Sequence, residues 1–429
     1  AIPYLVKPEE ITPGVALYYS STCGSCTVAC GVEVKTREGR PIKIDGSSRS
    51  NISQGGLCAV GQAGILSLYD NERLANPLKN GGKAEWAAID DEVVKGLSGI
   101  AAAGGRIVII SNTIHSPSTL KAIADFKTKY PTAEHIQWDA VSYSGIIQAN
   151  KADFGKAVIP SYNFDKAKVI VSFGADFLGT WISPVEFTKG YVKNRFPQEG
   201  QEMSRHIQFE SNLSLTGSNA DLRFPMKASR EGVYLTTLYN YIAQAKGGKQ
   251  IPAATQGELA GNSIKQTADA LLANPGAGLV VSGSNDARLQ SIVNGINLLL
   301  GNIGTTVDMD NYSKQFQGDD VAMDAAVKDI QDGKISAAIF YGVNPVYSHR
   351  DGKKLGEAIG KLKLSVSFAS GNDETAKLCG FVCPDNHYLE SWGDAEPKVG
   401  QYHFSQPVIS PVFNTRQAQV SLLTWSVGI

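Results

Sequence analysis

The residues best suited to chemistry in this chain are four cysteines that lie within 36 residues of one another, in the pattern C-x2-C-x3-C-x27-C. They are Cys23, Cys26, Cys30 and Cys58. Three thiolates within eight residues can face one ligand only if the backbone turns tightly around it, and Gly24 and Ser25 allow such a turn. A fourth thiolate that returns from a distance would complete the ligand set.

Four cysteines suit either an iron–sulfur cluster or a structural zinc ion, because both bind soft thiolates. Structural zinc usually uses two C-x2-C pairs, whereas a compact triplet with one remote cysteine is typical of a cubane 4Fe-4S cluster, with one thiolate on each iron. A disulfide between Cys23 and Cys30 is a further alternative, although disulfide-rich chains are usually small and secreted. The spacing favours the 4Fe-4S cluster over zinc and over disulfides.

The remaining candidate side chains give weaker signals. Cys379 and Cys383 flank a short, mostly apolar run and are interpreted as core thiols. The six histidines lack the spacing of a metal site, and no G-x-S-x-G motif is present. We therefore predict no catalytic residue of this chain's own.

A small module must position the four cysteines. The alternating segments 32–36 and 41–44 predict a hairpin that turns at Glu38-Gly39 and separates the third cysteine from the fourth. A short apolar helix is expected over 61–69, and a turn-rich stretch near residue 80 predicts a boundary. We interpret residues 1–80 as an iron–sulfur cysteine module.

Beyond the module, apolar strand-like runs alternate with helical segments such as 86–101 and 118–130. The runs begin at Gly105, Ala167, Ala277 and Ile335. Continuous apolar strands between helices predict parallel sheets covered on both faces, a Rossmann-like doubly wound α/β fold. We expect a split domain formed by 81–130 and 225–429, with an inserted α/β domain at 131–224.

Three strand-ending turns are candidate sites for a nucleotide-like cofactor, because ligands of doubly wound folds bind beyond the carboxyl ends of the strands. These turns are Gly174–Asp176, Gly283–Asn285 and Gly342–Asn344. None of them contains G-x-G-x-x-G, so ordinary strand-ending turns explain the glycines equally well.

The composition is that of an ordinary globular protein, with 42% hydrophobic residues, 19% charged residues and a formal net charge of −1. This balance argues against nucleic-acid binding. No apolar run reaches the roughly 18–20 residues of a spanning helix, so no transmembrane segment is expected. The chain begins Ala1-Ile-Pro-Tyr without a Met, and we expect targeting information upstream of it.

The cysteine module followed by Rossmann-like units resembles the molybdopterin oxidoreductases of the dimethyl sulfoxide reductase and formate dehydrogenase type. The segment Tyr388-Leu-Glu-Ser-Trp-Gly-Asp394 and residues 411–425 are similar to late motifs of that family. More specifically, the chain resembles the B subunits of bacterial alternative complex III. The segments that carry this second resemblance are 2–14, 34–45, 173–187 and 206–221.

The B-subunit resemblance implies a periplasm-facing, peripheral subunit of a membrane-bound quinol oxidoreductase. The implied partners are a ferredoxin-like iron–sulfur domain, a cytochrome c and membrane subunits that bind quinol. The implied cofactor is one 4Fe-4S cluster on the four cysteines. The B subunits join a molybdoenzyme-like half to a ferredoxin-like half. We find no segment of the sequence that resembles the ferredoxin-like half, or the C-terminal cap domain of the catalytic enzymes.

Three departures from the catalytic enzymes predict that no molybdopterin is bound. Those enzymes place a basic residue two positions after the fourth cysteine, where this chain has Val60. The inserted domain, 131–224, is much shorter than theirs. Where they carry the molybdenum ligand, after Trp138, this chain offers only Ser142 and Ser144. A catalytic molybdenum oxidoreductase and a purely structural subunit with empty cysteines are the alternative interpretations.

Overall fold

The structure is a computed structural model that describes residues 11–196, 199–200, 202–252 and 262–427. The chain folds into two compact units. The first combines residues 1–142 with 317–429, and the second comprises residues 143–316. The first unit therefore contains both ends of the described chain.

The amino-terminal part of the first unit begins with the cysteine module and continues into an α/β layer. Its elements are β1 (Leu17–Thr22), β2 (Gly31–Arg37), β3 (Arg40–Gly46), α1 (Ala59–Leu68), β4 (Leu78–Lys79), β5 (Gly82–Lys83), α2 (Trp86–Ala102), β6 (Arg106–Ser111), α3 (Pro117–Lys129) and β7 (Ala133–Gln137).

The second unit alternates strands and helices along most of its length. Its elements are α4 (Ser144–Phe154), β8 (Ile159–Tyr162), β9 (Val169–Phe173), α5 (Pro184–Lys193), β10 (Arg205–Glu210), α6 (Leu215–Ser218), β11 (Leu222–Pro225), α7 (Glu231–Ala245), α8 (Ser263–Leu272), β12 (Gly278–Ser282), α9 (Ala287–Leu299) and β13 (Val307–Ser313).

The carboxyl-terminal part returns the chain to the first unit. Its elements are α10 (Asp320–Gln331), β14 (Ile335–Tyr341), α11 (Pro345–Ser348), α12 (Gly352–Ile359), β15 (Leu364–Phe368), β16 (Phe381–Val382), β17 (Gly393–Lys398), β18 (Gln401–Ser405) and α13 (Ala418–Val427).

The cysteine module is built on the antiparallel sheet β1-β2-β3. The predicted hairpin is present, and both turn residues have positive φ, Glu38 at 45° and Gly39 at 73°. Two left-handed residues give a turn whose twist matches that of the flanking strands. This short connection leaves the cysteine loop at the opposite end of β2.

The main sheet of the first unit has the strand order β5-β4-β16-β15-β14-β6-β7, and its strands run parallel from β16 to β7. Both faces are buried, because neighbouring residues of β6 point into different cores. Ile107 and Ile109 pack with Phe126 and Trp425, whereas Val108 and Ile110 belong to the core on the other face. The predicted doubly wound α/β class is confirmed.

The second unit contains the parallel sheet β11-β10-β9-β12 and a separate antiparallel pairing of β8 with β13. The strand β12 pairs directly with β9, in the register Val280 to Val171. The predicted boundary at residue 225 therefore divides a continuous sheet, and residues 225–316 fold with the segment that we expected to be an insertion. The divisions between the compact units fall instead at residues 142/143 and 316/317.

Within the described ranges of the chain, no helix combines the length and the apolar character needed to cross a membrane.

Candidate metal centre

Three of the four cysteines lie in the loop that joins β1 to β2. The backbone N–H of Cys23 donates to the carbonyl of Cys30 at 2.8 Å, which closes the loop at its base. Cys23 and Cys30 are buried, whereas Cys26 at the far side of the loop is exposed. Ala29 adopts a left-handed conformation with φ 54°, so the chain turns sharply just before the third cysteine.

The fourth cysteine is the N-cap residue of α1. The backbone N–H of Gly61 donates to Cys58 Sγ at 3.3 Å. A helix N-terminus stabilises a thiolate through its free N–H groups and its dipole. The approach to this position is tight, since a β-carbon on Gly46 would lie 2.0 Å from the carbonyl oxygen of Gly56. Only glycine lets the segment before Cys58 pack this closely against the end of β3.

Three of the four predicted ligands, Cys23, Cys26 and Cys58, lie near enough to interact electrostatically. Although Cys26 is partly open to solvent, the surrounding groups desolvate its thiol and raise its pKa to about 11. The neighbouring Cys23 and Cys58 thiolates add to the rise, while the N–H of Val28 opposes it. Thiolates that repel one another when metal-free are stabilised once iron neutralises their charge. The set therefore fits a cationic iron centre.

In the described part of the chain, no three His, Cys, Asp or Glu side chains are gathered as the ligands of a single metal ion. A cubane cluster differs from such a site, because each of its thiolates binds a different iron.

Tyr388 covers the cysteine loop from the carboxyl-terminal part of the unit. A β-carbon on Gly24 would lie 2.7 Å from Tyr388 Cβ, and one on Gly64 of α1 would lie 2.8 Å from its hydroxyl oxygen. Burial, and then the nearby Cys23 thiolate, raise the pKa of Tyr388 above its ordinary value. Sequence reasoning did not assign Tyr388 this position, although it lies in a stretch rich in aromatic and polar residues.

A cavity of about 800 Å³ adjoins the cysteine module within the first unit. It is lined by residues of the cysteine loop and α1, by the turns after β14 and β15, and by residues 385–388 and 391–393. The predicted turn Gly342–Asn344 lines this cavity at the carboxyl end of β14. The other two predicted turns, at 174–176 and 283–285, lie in the second unit.

Two carboxyl groups, of Asp373 and Asp385, and one guanidinium, of Arg73, line the cavity. Arg73 is the only lysine or arginine among the described residues that line it. The guanidinium of Arg73 is already committed to Glu390, with Nη2 to Oε2 at 2.8 Å and Nη1 to Oε1 at 3.1 Å. Burial raises the pKa of Asp385 to about 7 and also raises the pKa of Asp373. The cavity thus offers carboxyl groups but no unpaired cation.

Val60 lines the cavity, whereas the two serines near the expected position of the molybdenum ligand, Ser142 and Ser144, do not. Val60, which stands where the catalytic enzymes of the resembled family have a basic residue, lies two residues after Cys58, is 61% exposed and lines the cavity. Ser142 is not among the residues that line it. Ser144 is the first residue of α4 in the second unit, where its hydroxyl accepts a hydrogen bond from Gln148 Nε2 at 2.9 Å. The side-chain oxygen of Ser144 is thus engaged within its own helix.

The two remaining cysteines are core thiols, as predicted. Cys379 and Cys383 are 5% and 0% exposed and belong to the cores on opposite faces of the main sheet. Desolvation raises the pKa of each thiol to about 12. Both side chains are therefore neutral and inert in the folded protein.

The fold and the cysteine module define a molybdopterin oxidoreductase-like α/β protein with an amino-terminal iron–sulfur domain. Residues 17–70 match the family described as "Molybdopterin oxidoreductase Fe4S4 domain". The resemblance inferred from the cysteine pattern is thereby confirmed.

Among individual relatives, the chain is similar to the "Menaquinone reductase, molybdopterin-binding-like subunit" of Nitratidesulfovibrio vulgaris, with 22% identity over 464 aligned positions. This match covers 96% of the chain and 65% of the relative. It is consistent with the resemblance to the B subunits of alternative complex III. A selenate reductase polypeptide of Mesobacillus selenatarsenatis is 37% identical over 117 residues, which cover 21% of the chain and 10% of that protein.

Acetylene hydratase from Pelobacter acetylenicus has a similar structure, with a TM-score of 0.72 and 13% sequence identity. The match covers 95% of the chain and 69% of the hydratase. At this identity the likeness concerns the fold alone, and it agrees with the predicted α/β architecture.

Proposed function

We propose that this chain is a molybdoenzyme-like subunit of a quinol-oxidising respiratory complex of the alternative complex III type. It holds one 4Fe-4S cluster on Cys23, Cys26, Cys30 and Cys58, and it binds no molybdopterin. The observation that carries this proposal is the proximity of Cys23 and Cys58 to Cys26 in a module that adjoins a cavity whose described lining residues include no unpaired lysine or arginine.

The cluster assignment is supported by the ligand chemistry. Soft thiolates bind iron, and the N–H groups of Gly61 and Val28 face two of the sulfurs. When bound, the cluster would supply one-electron transfer. The chain's own residues hold the thiolate-bearing backbone in place, through the close contacts of Gly24 and Gly64 with Tyr388.

The absence of molybdopterin is supported by the charges of the cavity. A pterin dinucleotide carries an anionic pyrophosphate, which is normally stabilised by cations or by several N–H donors. Here Arg73 is neutralised by Glu390, and Asp373 and Asp385 add potential negative charge. Val60 places an apolar side chain where the catalytic enzymes have a basic one. A subunit of this kind has no active site of its own.

Within the complex, the chain would lie on the periplasmic side of the cytoplasmic membrane as a peripheral subunit. Its partners would be a ferredoxin-like iron–sulfur domain, a cytochrome c and membrane subunits that bind quinol. Quinol oxidation would take place in those membrane subunits, and this chain would contribute an electron-transfer or scaffold role.

Metal analysis of the purified chain tests the proposal. We expect about four irons per chain with neither molybdenum nor tungsten, and a broad absorbance near 400 nm that reduction bleaches. Molybdenum or tungsten near one atom per chain would overturn the proposal. A chain without iron would instead indicate a structural subunit with an empty cysteine site.

A catalytic molybdopterin oxidoreductase is the second candidate, and the size and place of the cavity favour it. Its volume of about 800 Å³ suits a large cofactor, and it lies where doubly wound folds bind nucleotides, beyond the carboxyl ends of β14 and β15. Extraction of a pterin from the purified protein would support this candidate, and fluorescence of the oxidised extract detects it independently of metal content.

A further inference from the structure

Two imidazoles contact the cysteine loop from outside the module. His115 Nε2 donates to the carbonyl oxygen of Thr27 at 2.8 Å, and His403 Nδ1 donates to the carbonyl oxygen of Ala29 at 2.9 Å. A carbonyl oxygen can only accept, so each of these ring nitrogens carries its proton. The two bonds thus hold the backbone on either side of Val28.

The histidines come from distant parts of the chain that are joined to each other. His115 precedes α3, and its own carbonyl accepts the backbone N–H of Glu396 in β17 at 2.8 Å. Asp394 of β17 accepts the hydroxyl of Ser118 at 2.7 Å, which links β17 to the start of α3. His403 lies on the partner strand β18, opposite Ala395. The two histidines are therefore held by elements that are hydrogen-bonded to one another, namely the start of α3 and the pair β17–β18.

The geometry of the peptide unit connects His115 to the sulfur of Cys26. The peptide group is planar, and its C=O and N–H point in opposite directions. Because the carbonyl of Thr27 faces His115, the N–H of the same peptide, that of Val28, faces away from it. That N–H is hydrogen-bonded to the Cys26 thiol. His115 thus fixes the plane that aims an N–H donor at a ligand sulfur.

His403 acts on the strained end of the loop. Ala29 has φ 54°, a conformation that a residue with a side chain keeps only where its surroundings hold it. The bond from His403 to the Ala29 carbonyl supplies such a restraint directly before Cys30. Without it, the last turn of the loop could relax away from the ligand geometry.

We infer that His115 and His403 are positioning residues of the iron–sulfur site, which fix the loop backbone so that its N–H donors face the sulfurs. This inference rests on the proposed function only in requiring that the cluster is present. Hydrogen bonds to cluster sulfurs raise the reduction potential, and outer contacts of this kind help to retain the metal. The two histidines touch the loop backbone rather than the thiolates, so they act through the peptide groups.

The test replaces each histidine by glutamine or by asparagine. One of the two places its side-chain NH2 at the position of the donating ring nitrogen, and the other does not. Glutamine places its NH2 near the position of Nε2, and asparagine places it near Nδ1, so His115→Gln and His403→Asn preserve donation. His115→Asn and His403→Gln keep an amide but misplace it. We expect the misplaced pair to shift the cluster to a lower reduction potential and to release iron to a chelator several-fold faster. The matched pair should stay close to wild type.

The measurements are an electron paramagnetic resonance titration of the reduced cluster and the rate of iron release, on the full chain purified with its metal. His349→Gln is the control, because His349 pairs with Asp324 in the same unit and does not contact the loop. If His115→Asn does not fold, His403→Gln carries the same comparison.

The outcomes separate this inference from the proposed function. Wild-type protein without iron would overturn both. Wild-type protein with about four irons, whose misplaced variants keep its potential and its iron-release rate, would overturn the role of the histidines alone. Equal shifts in the matched and misplaced variants would also contradict the role of N–H donation.

Discussion

Gly24 and Tyr388 are in direct contact across the cysteine site, and a β-carbon on Gly24 would lie 2.7 Å from both Cβ and Cγ of the tyrosine. Separations below 3.0 Å are essentially absent from real Cβ contacts. The residue between the first two cysteines is therefore restricted by a side chain that lies 364 positions later in the sequence.

Gly24→Ala should push Tyr388 out of its position and open the site to solvent. We expect a loss of about 1–3 kcal/mol in the free energy of unfolding, as for other overpacked sites, and a lower iron content. The control is Gly99→Ala in α2, where a β-carbon meets nothing within 4 Å. That substitution should stabilise by about 0.5–1 kcal/mol. If Gly24→Ala and Gly99→Ala had the same free energy of unfolding, the close contact between Gly24 and Tyr388 would be contradicted.

Cys26→Ser removes one predicted ligand and should leave about three irons or none, instead of about four. Cys379→Ser is the matched control, because it exchanges the same atoms in a core thiol that is 5% exposed. The control should keep its iron but lose about 1–3 kcal/mol of stability, since it buries a hydroxyl. Colorimetric iron determination distinguishes the two variants, and full iron content in Cys26→Ser would remove this residue from the ligand set.

The features that sequence reasoning predicted are those that short segments determine. The hairpin at Glu38-Gly39 follows from alternation and turn residues, and the buried strands β6, β9, β12 and β14 follow from continuous apolar runs. The match of residues 17–70 to an Fe4S4 domain could be anticipated because the spacing of the cysteines is itself local. Each of these patterns fits within a few tens of residues.

The features that were missed depend on pairings between distant segments. The boundary at residue 225 was misplaced because β12 pairs with β9 across about a hundred residues, and no local pattern encodes that partner. The roles of Tyr388, His115 and His403 were missed for the same reason. Their side chains have ordinary sequence surroundings, and only the fold brings them to the cysteine loop.

Arg73→Met should strongly destabilise the first unit. The Arg73–Glu390 pair is nearly fully buried, with side chains 6% and 0% exposed, so the substitution leaves a buried carboxylate without its cation. We expect a loss of about 3–5 kcal/mol in urea denaturation. Lys43→Met breaks an exposed pair with Asp45 and should cost less than about 1 kcal/mol. Comparable losses in the two variants would show that burial of the Arg73 pair has no energetic consequence.

His206 should make the stability of the second unit depend on pH. Desolvation lowers its pKa from 6.5 to about 4 in the folded chain, so between these values the unfolded state binds more protons. Stability is then retained above pH 6.5 and falls as the pH drops towards 4, by about 2 kcal/mol at pH 5. In denaturation curves recorded at pH 7 and pH 5, His206→Gln should abolish the part of the decrease in the free energy of unfolding that is due to His206. His135 and His387, whose pKa values are also about 4, lie in the first unit, so the same pH dependence is expected there and His206→Gln should leave it unchanged.

Val60→Lys should raise the reduction potential of the cluster. Val60 follows Cys58 by two residues, is 61% exposed and lines the cavity, so a lysine can be accommodated without repacking a core. A positive charge close to the cluster stabilises its reduced, more negative form. Leu66→Lys is the control, because Leu66 is 69% exposed on the same helix but lies further from Cys58. A redox titration monitored by electron paramagnetic resonance should show a larger positive shift for Val60→Lys than for Leu66→Lys. Equal shifts would mean that a charge at position 60 is no closer to the cluster than one at position 66. They would also contradict the use of Val60, in place of a basic residue, as support for the absence of molybdopterin.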